Sequence, residues 1–201
     1  MIFFTSDLHF NHPNIIQSCR RPFANIQEHN LALVAKWNAV VGPEDEVYVL
    51  GDFACADSGE DVQDFAGRLN GKKYLLLGNN DEAALYGGFS FVWVKDYHVL
   101  TAEGIRWVLC HYPIWIWDER NKGTIHLYGH VHNHGLRADS PAEFRALADR
   151  TDCINVGVDV NGFAPVSVLE LARRVHAVTE AAKPATRTQS TGGQSFPASQ
   201  V

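Results

Sequence analysis

Five short apolar runs in this 201-residue chain each end in a side chain that can hold a metal ion. Ile2 to Ser6 leads into Asp7-Leu8-His9, Val47 to Gly51 into Asp52, and Tyr74 to Gly78 into Asn79. Trp107 to Cys110 leads into His111, and Ile125 to Gly129 into His130-Val131-His132. Any one of these is ordinary turn chemistry, since Gly-Asp and a lone histidine are common where a strand stops. Five in order offer four histidines, two aspartates and an asparagine, and imidazole combined with carboxylate favours transition metals over magnesium. Histidine is also abundant: the chain has 10, five of them between His111 and His134. Asp7/His9 and His130/His132 are spaced by two, which in extended backbone points both side chains of a pair to one side. Each pair is therefore expected to grip one centre. Gly51, Gly78 and Gly129 directly precede donors, permitting a sharp departure from the strand and close backbone approach.

The surrounding elements must bring these donors together. Ile2–Thr5, Glu46–Leu50, Tyr74–Leu77, Phe91–Val94, Tyr97–Leu100, Arg106–Leu109, Ile125–Tyr128 and Cys153–Val156 are β-branched and aromatic runs that read as strands. Gln27–Val41 places Leu31, Val34, Ala35, Asn38 and Val41 at helical spacing, and Glu60–Leu69 places Val62, Phe65, Ala66 and Leu69 on one face. Pro141–Arg150 and Val166–Ala182 carry helix start signals. Strand and helix alternate in the first half, whereas residues 89–110 run strand after strand with turn signals at Lys95-Asp96 and Glu103-Gly104. That mixture predicts an α/β sandwich of two sheets in place of one doubly wound sheet. Ligand sites in α/β sheets form beyond the carboxyl ends of the strands, so the five run-ends can line one crevice.

Composition narrows the partners. Hydrophobic residues make up 46% of the chain and charged residues 20%, which describes one globular domain, assigned to residues 1–182. Residues 183–201 change to Pro, Thr, Gln, Ser and Gly without periodicity and read as a flexible tail. The net charge is −6, and the tail holds Lys183 and Arg187 but no acid, so the domain carries −8. This balance argues against duplex nucleic acid and anionic lipid. No apolar run approaches the roughly 20 residues of a membrane helix, and Met1-Ile2-Phe3-Phe4 lacks the basic start of a signal peptide, so a cytoplasmic protein is expected. Cys19, Cys55, Cys110 and Cys153 form no Cys-x-x-Cys pair and read as reduced thiols, with Cys110 a packed one.

Taken together, Asp7-x-His9, Gly51-Asp52, Gly78-Asn79-x-Asp81, His111 and Gly129-His130-x-His132 resemble the motifs of the calcineurin-like metallophosphoesterase superfamily. The resemblance implies two mixed β-sheets flanked by helices, with two divalent metals at the sheets' edge. Asp7, His9 and His132 would hold the first metal, Asn79, His111 and His130 the second, and Asp52 would bridge them. Manganese stands first among the candidates, with iron, zinc, nickel and cobalt as alternatives. In such a centre a water between the metals is deprotonated and attacks phosphorus, so no protein nucleophile is needed. His12, His98, His126 and His134 match no family ligand, and His126, inside a strand, reads as structural.

One position departs from the pattern. Where the family has Gly-Asn-His-Asp, this chain has Gly78-Asn79-Asn80-Asp81. The resemblance makes Asn80 and Asp81 part of the catalytic block, yet asparagine cannot titrate as the family's histidine does. Either the change impairs catalysis, or the substrates have good leaving groups, or His12 or His134 substitutes. A small phosphodiester, cyclic or nucleotide-derived, is favoured over a monoester, and a non-catalytic metal-binding scaffold of the same fold is the alternative. Arg20 and Arg120 are candidate clamps for substrate phosphate, with Trp115 and Trp117 near Arg120 able to stack a base or to cover the core. Asp159 lies in a turn after the last core strand, with no assigned role.

Overall fold

Side-chain alternation along the strands divides the apolar residues between two cores. The computed structural model describes residues 1–56, 58–82 and 90–181. Its first half comprises β1 (Ile2–Thr5), α1 (Asn14–Ser18), α2 (Ile26–Val40), β2 (Glu46–Leu50), α3 (Gly59–Gly67) and β3 (Lys72–Leu76). The second half comprises β4 (Val94–Lys95), β5 (Tyr97–Ala102), β6 (Ile105–Cys110), β7 (Ile125–Tyr128), α4 (Ala142–Ala148), β8 (Cys153–Asn155), β9 (Val166–Ser167) and α5 (Val168–Ala181). One mixed sheet has the order β4-β3-β2-β1-β9, parallel throughout except for β9, and the other runs β5-β6-β7-β8 with only β5 antiparallel to its neighbour. The fold is the expected α/β pair of mixed sheets flanked by helices.

Phe4, Tyr48, Leu50 and Leu76 point from the first sheet toward Trp107, Leu109, Ile125 and Leu127 of the second, closed at the side by Leu171 and Ala172 of α5. Their sequence neighbours Phe3, Val47, Val49 and Leu75 face the other way, onto Leu33 and Trp37 of α2 and Val62, Phe65 and Ala66 of α3. Both faces of β1 to β3 are thus buried, which explains their near-continuous apolar sequence. The outer face of the second sheet packs Val108 and Tyr128 against Trp117, Phe144 and Leu147. Asn25 caps α2 through the Glu28 N–H, and Ser58 and Asp61 form a capping box on α3.

Several boundaries and one face differ from the expectation. The predicted stripe is only in part the buried side of α2: Val41 is buried and Val34 packs on the core, but Leu31 is exposed, and His29, Asn30, Leu33 and Trp37 are buried as well. The two polar residues are tolerated there because both are hydrogen-bonded, His29 to Arg21 and Asn30 to Asn11. Phe91–Val94 shrinks to a two-residue β4, although Val92 N and Trp93 O still bond to β3. Val166–Ser167 pairs antiparallel with β1, so the last helix starts at Val168, and α1, whose one buried residue is Ile15, forms without apolar periodicity. At Glu103-Gly104 both residues adopt positive φ, as a tight hairpin requires. The proposed tail, 183–201, lies outside the described residues. Among the described residues no helix is long and apolar enough to cross a membrane.

Trp37 is fully buried and its indole N–H donates to Asn70 O at 3.0 Å. Trp37→Ala is expected to cost about 3–5 kcal/mol of stability, read from urea unfolding; a loss under about 1 kcal/mol would mean that this core collapses around the gap.

Candidate metal centre

Every predicted donor lies just past the carboxyl end of a strand, where the chain must turn abruptly into the cleft between sheets. The turning is done at the donors themselves. Asp7, His9, Asp52, His130 and His132 have φ of 59°, 53°, 55°, 68° and 46°, a left-handed geometry that costs a non-glycine residue roughly 1–2 kcal/mol. The extended backbone expected for Asp7/His9 and His130/His132 is therefore absent, because β1 ends at Thr5 and β7 at Tyr128. Main-chain bonds hold these turns: Asp7 N to Gly51 O at 3.0 Å, His9 N to Asp52 O at 2.9 Å and Gly129 N to His111 O at 2.9 Å. Space is equally constrained. A Cβ on Gly78 would lie 2.3 Å from Asp52 Oδ1, and one on Gly129 would lie 2.5 Å from Asp7 Oδ2, so both turns need glycine to approach the carboxylates.

The seven donors converge. Ligand atoms of Asp7, His9 and His132 all lie within 4.8 Å of one another, as do those of Asp7, Asp52 and His111. Asp52 Oδ2 is 3.3 Å from His9 Nε2 and 3.7 Å from His111 Nε2, which puts this oxygen between the two groups. Asn79 Oδ1 is 3.1 Å from His111 Nε2, and the His130 ring stands 5.1 Å from that of His111. The His130 N–H also donates to both Asp7 oxygens, at 3.0 and 3.1 Å. Asp7, His9, Asp52 and His111 are each no more than 2% exposed.

Tautomers follow from the outer hydrogen bonds. His111 Nδ1 donates to Leu50 O at 2.8 Å, and His132 Nδ1 donates to Asp159 Oδ2 at 2.9 Å. His9 Nδ1 faces His12 Nδ1 at 3.0 Å. Each ring therefore directs its Nε2 at the centre, the usual arrangement of a metal-binding histidine. His9 Nε2 is fully buried with no hydrogen bond of normal geometry. An orphaned imidazole nitrogen between two carboxylates is a donor site that a divalent cation fits, and the donor set suits a transition metal.

Charge reinforces the geometry. Burial would raise the Asp52 pKa, but the His9 imidazole 3.3 Å away, the nearby His111 and the Asn80 N–H hold it well below the usual carboxylate range. Burial lowers His132, yet the bond to Asp159 outweighs it and carries the ring up to about 10 in the metal-free protein. His130 moves down, through burial and then the proximity of His111.

Asn80 and Asp81 occupy distinct places. Asn80 donates its N–H to Asp52 Oδ1 at 2.8 Å and its side-chain amide to Oδ2 at 2.7 Å. The Asp81 carboxylate accepts from the N–H groups of Asp52, Phe53 and Gly78 at 2.7 to 2.9 Å, tying the turn after β2 to that after β3. Arg20 and Arg120 are not brought into the cluster: Arg20 pairs with Asp139 on the surface and Arg120 with Asp152. Of the spare histidines, His12 touches His9, whereas His134 bonds Ser140 and packs on Phe144. Buried His126 bonds main-chain Val108 O, and burial raises the Cys110 thiol pKa.

Sequence reading missed Arg21, His29 and Asp159. Arg21 makes a two-pronged ion pair with Asp159 at 2.8 Å and donates to Asp7 O and Leu8 O, while its remaining contact is His29 Nε2 at 2.7 Å. Both charges are buried, and the pair links His29 of α2 to His132 of the centre. The available signal was the acid at Asp159 after the last core strand; nothing distinguished Arg21 from Arg20.

A family model described as calcineurin-like phosphoesterase matches residues 1–112. An uncharacterized protein of Methanocaldococcus jannaschii is 33% identical over 168 residues, covering 83% of this chain and 86% of that one. The gene 66 protein of Mycobacterium phage L5 is 28% identical, covering 86% and 94%. Among solved structures, a protein of unknown function from Aquifex aeolicus superposes with a TM-score of 0.67 at 27% identity, covering 86% of this chain and 98% of that one.

Arg21→Met strands the Asp159 charge in the interior and is expected to cost about 3–5 kcal/mol in urea unfolding. Asp159→Asn is expected to weaken divalent-metal affinity about 10–100-fold by titration calorimetry; unchanged affinity would deny the network any hold on the centre. Burial, chiefly, lowers His29 from 6.5 to about 4. The unfolded chain thus takes up a proton that the folded one refuses, and the stability present above pH 6.5 is lost as pH falls toward 4. His29→Gln is expected to flatten that limb of a stability-versus-pH curve.

Proposed function

The chain belongs to the calcineurin-like phosphoesterase family, and from that premise we propose that it hydrolyses phosphoesters at this centre, preferring diesters. The reading is carried by one observation: Asp52 Oδ2 stands within 3.7 Å of the Nε2 atoms of His9 and His111, at the meeting point of two donor groups. In it Asp7, His9 and His132 hold one metal, Asn79, His111 and His130 hold the second, and Asp52 serves both. Divalent transition metals, manganese foremost, supply Lewis-acid charge and acidify water when bound.

The chain's own groups do the rest. Leu50 O and Asp159 hold His111 and His132 with Nδ1 as donor and Nε2 toward the centre, while His12 lies against His9 Nδ1. Asp81 positions Asp52 by accepting from its main-chain N–H and from those of Phe53 and Gly78. Asn80 orients the Asp52 carboxylate with both of its donors, and an amide has no proton to give a departing alkoxide. Esters whose leaving group departs unaided are therefore the better substrates; among them the reading favours a small phosphodiester over a monoester. The acidic balance of the domain fits a small substrate better than duplex nucleic acid.

Purified protein supplied with Mn²⁺, Zn²⁺ or Ni²⁺ is expected to hydrolyse bis(4-nitrophenyl) phosphate, to lose this with a chelator, and to lose it in Asp52→Asn. Asn80→His is expected to raise turnover on esters with poor leaving groups by about 10²-fold or more and to change 4-nitrophenyl esters little. Inactivity of both the wild type and Asn80→His with every metal would replace this reading with a metal-binding scaffold.

A further inference from the structure

His29 and Asn30, adjacent polar residues of α2, are both buried, and each begins a series of contacts that ends on a histidine of the group Asp7, His9 and His132. From His29 the series runs through Arg21 and Asp159 to His132. From Asn30 it runs to His9 by way of a tight turn. Asn30 Nδ2 donates to Asn11 Oδ1 at 2.9 Å and Asn30 Oδ1 accepts from the Asn11 N–H at 3.3 Å, a two-point grip on a residue at φ 56°. Before Asn11 the Phe10 ring is fully buried against Phe65, and after it the buried side chain of Ile15 anchors α1. The His12 N–H donates to His9 O at 3.2 Å, which closes the turn and brings the two imidazoles together, Nδ1 to Nδ1 at 3.0 Å with ring centres 5.0 Å apart.

Two ring nitrogens at that distance share one proton, so one imidazole donates and the other accepts. The far side of His9 decides which. Its Nε2 is buried without a hydrogen bond of normal geometry, 3.3 Å from Asp52 Oδ2, and belongs to the donor cluster with Asp7 and His132. An imidazole that offers its Nε2 lone pair to a cation keeps its proton on Nδ1. His9 Nδ1 is then the donor and His12 Nδ1 the acceptor. Leu50 O and Asp159 serve His111 and His132 in the same way through an oxygen, whereas His9 uses an imidazole. We infer that His12 is a positioning residue of the centre, accepting the His9 Nδ1–H and so fixing the tautomer and the plane of that ring. Without the acceptor a buried N–H is left unpaired, and the tautomer that turns its proton toward the Asp52 carboxylate competes with metal for the same nitrogen. The inference rests on His9 being a metal donor, which is part of the reading above, and not on hydrolysis.

Three substitutions separate the two His12 nitrogens, with Mn²⁺ affinity read by titration calorimetry on the full chain and folding read by urea unfolding. His12→Phe keeps a ring and removes both nitrogens, and is expected to weaken affinity about 10–100-fold, the usual effect of losing the outer partner of a metal-binding histidine. His12→Asn can place an amide oxygen where Nδ1 stood and is expected to recover most of that loss. His12→Gln, whose amide reaches instead to the place of Nε2, is expected to resemble His12→Phe. An affinity in His12→Phe equal to that of the wild type, or equal weakening in the Asn and Gln variants, overturns the inference. If His12→Phe does not fold, the comparison of Asn with Gln decides alone. Wild type that binds Mn²⁺ but hydrolyses no ester sinks the phosphoesterase reading only, and the calorimetry still decides the role of His12. Wild type that binds no divalent ion removes His9 from the donors and overturns both.

Discussion

Two carboxylates, Asp7 and Asp52, are buried with ligand atoms within 4.8 Å of each other, and the rest of the structure is arranged around compensating them. A charge withdrawn from water must be met by donors or by a cation. Asp52 receives the Asn80 main-chain and side-chain N–H groups and faces two imidazoles, and Asp7 receives the His130 N–H. These contacts draw in the turns after β3, β6 and β7, so segments from both sheets close on one point. The orphaned His9 nitrogen shows where protein donors end and a bound cation fits.

Compensation extends outward in a second ring. Asp159 holds His132 and is itself neutralised by Arg21, whose remaining donors go to the carbonyls of Asp7 and Leu8. His29 accepts from Arg21 and is bonded to Asn30, so the network ends on a neutral imidazole and not on another charge. A buried pair of this kind contributes little net stability compared with apolar packing, but losing one partner is costly. Its effect is to fix the ring of a metal-facing histidine, which is also what Leu50 O does for His111. The strained left-handed backbone at five donors is held by the same web of bonds.

The strands that lead to the donors were legible because both of their faces are apolar, and α3 because Val62, Phe65 and Ala66 repeat on one face. The buried face of α2 was not, because His29 and Asn30 look like surface residues until their partners Arg21 and Asn11 are folded against them. β9 is two residues long and owes its conformation to pairing with β1, a contact more than 160 positions away in the chain. Arg20 and Arg21 are chemically identical neighbours in sequence, and only the turn after α1, with Arg20 at φ 55°, sends one to the surface and the other inside.

What the sequence determined by itself is the family, the two-sheet architecture and the list of seven candidate donors, since these depend on residue type, order and local spacing, which need no neighbours to be read. The tertiary structure decided which oxygen stands between the donor groups, which nitrogen of each imidazole faces inward, that Asn80 bonds Asp52, and that Arg21 and Asp159 brace His132. Those are properties of contacts between segments far apart in the chain, and each depends on backbone geometry that leaves no mark in local composition.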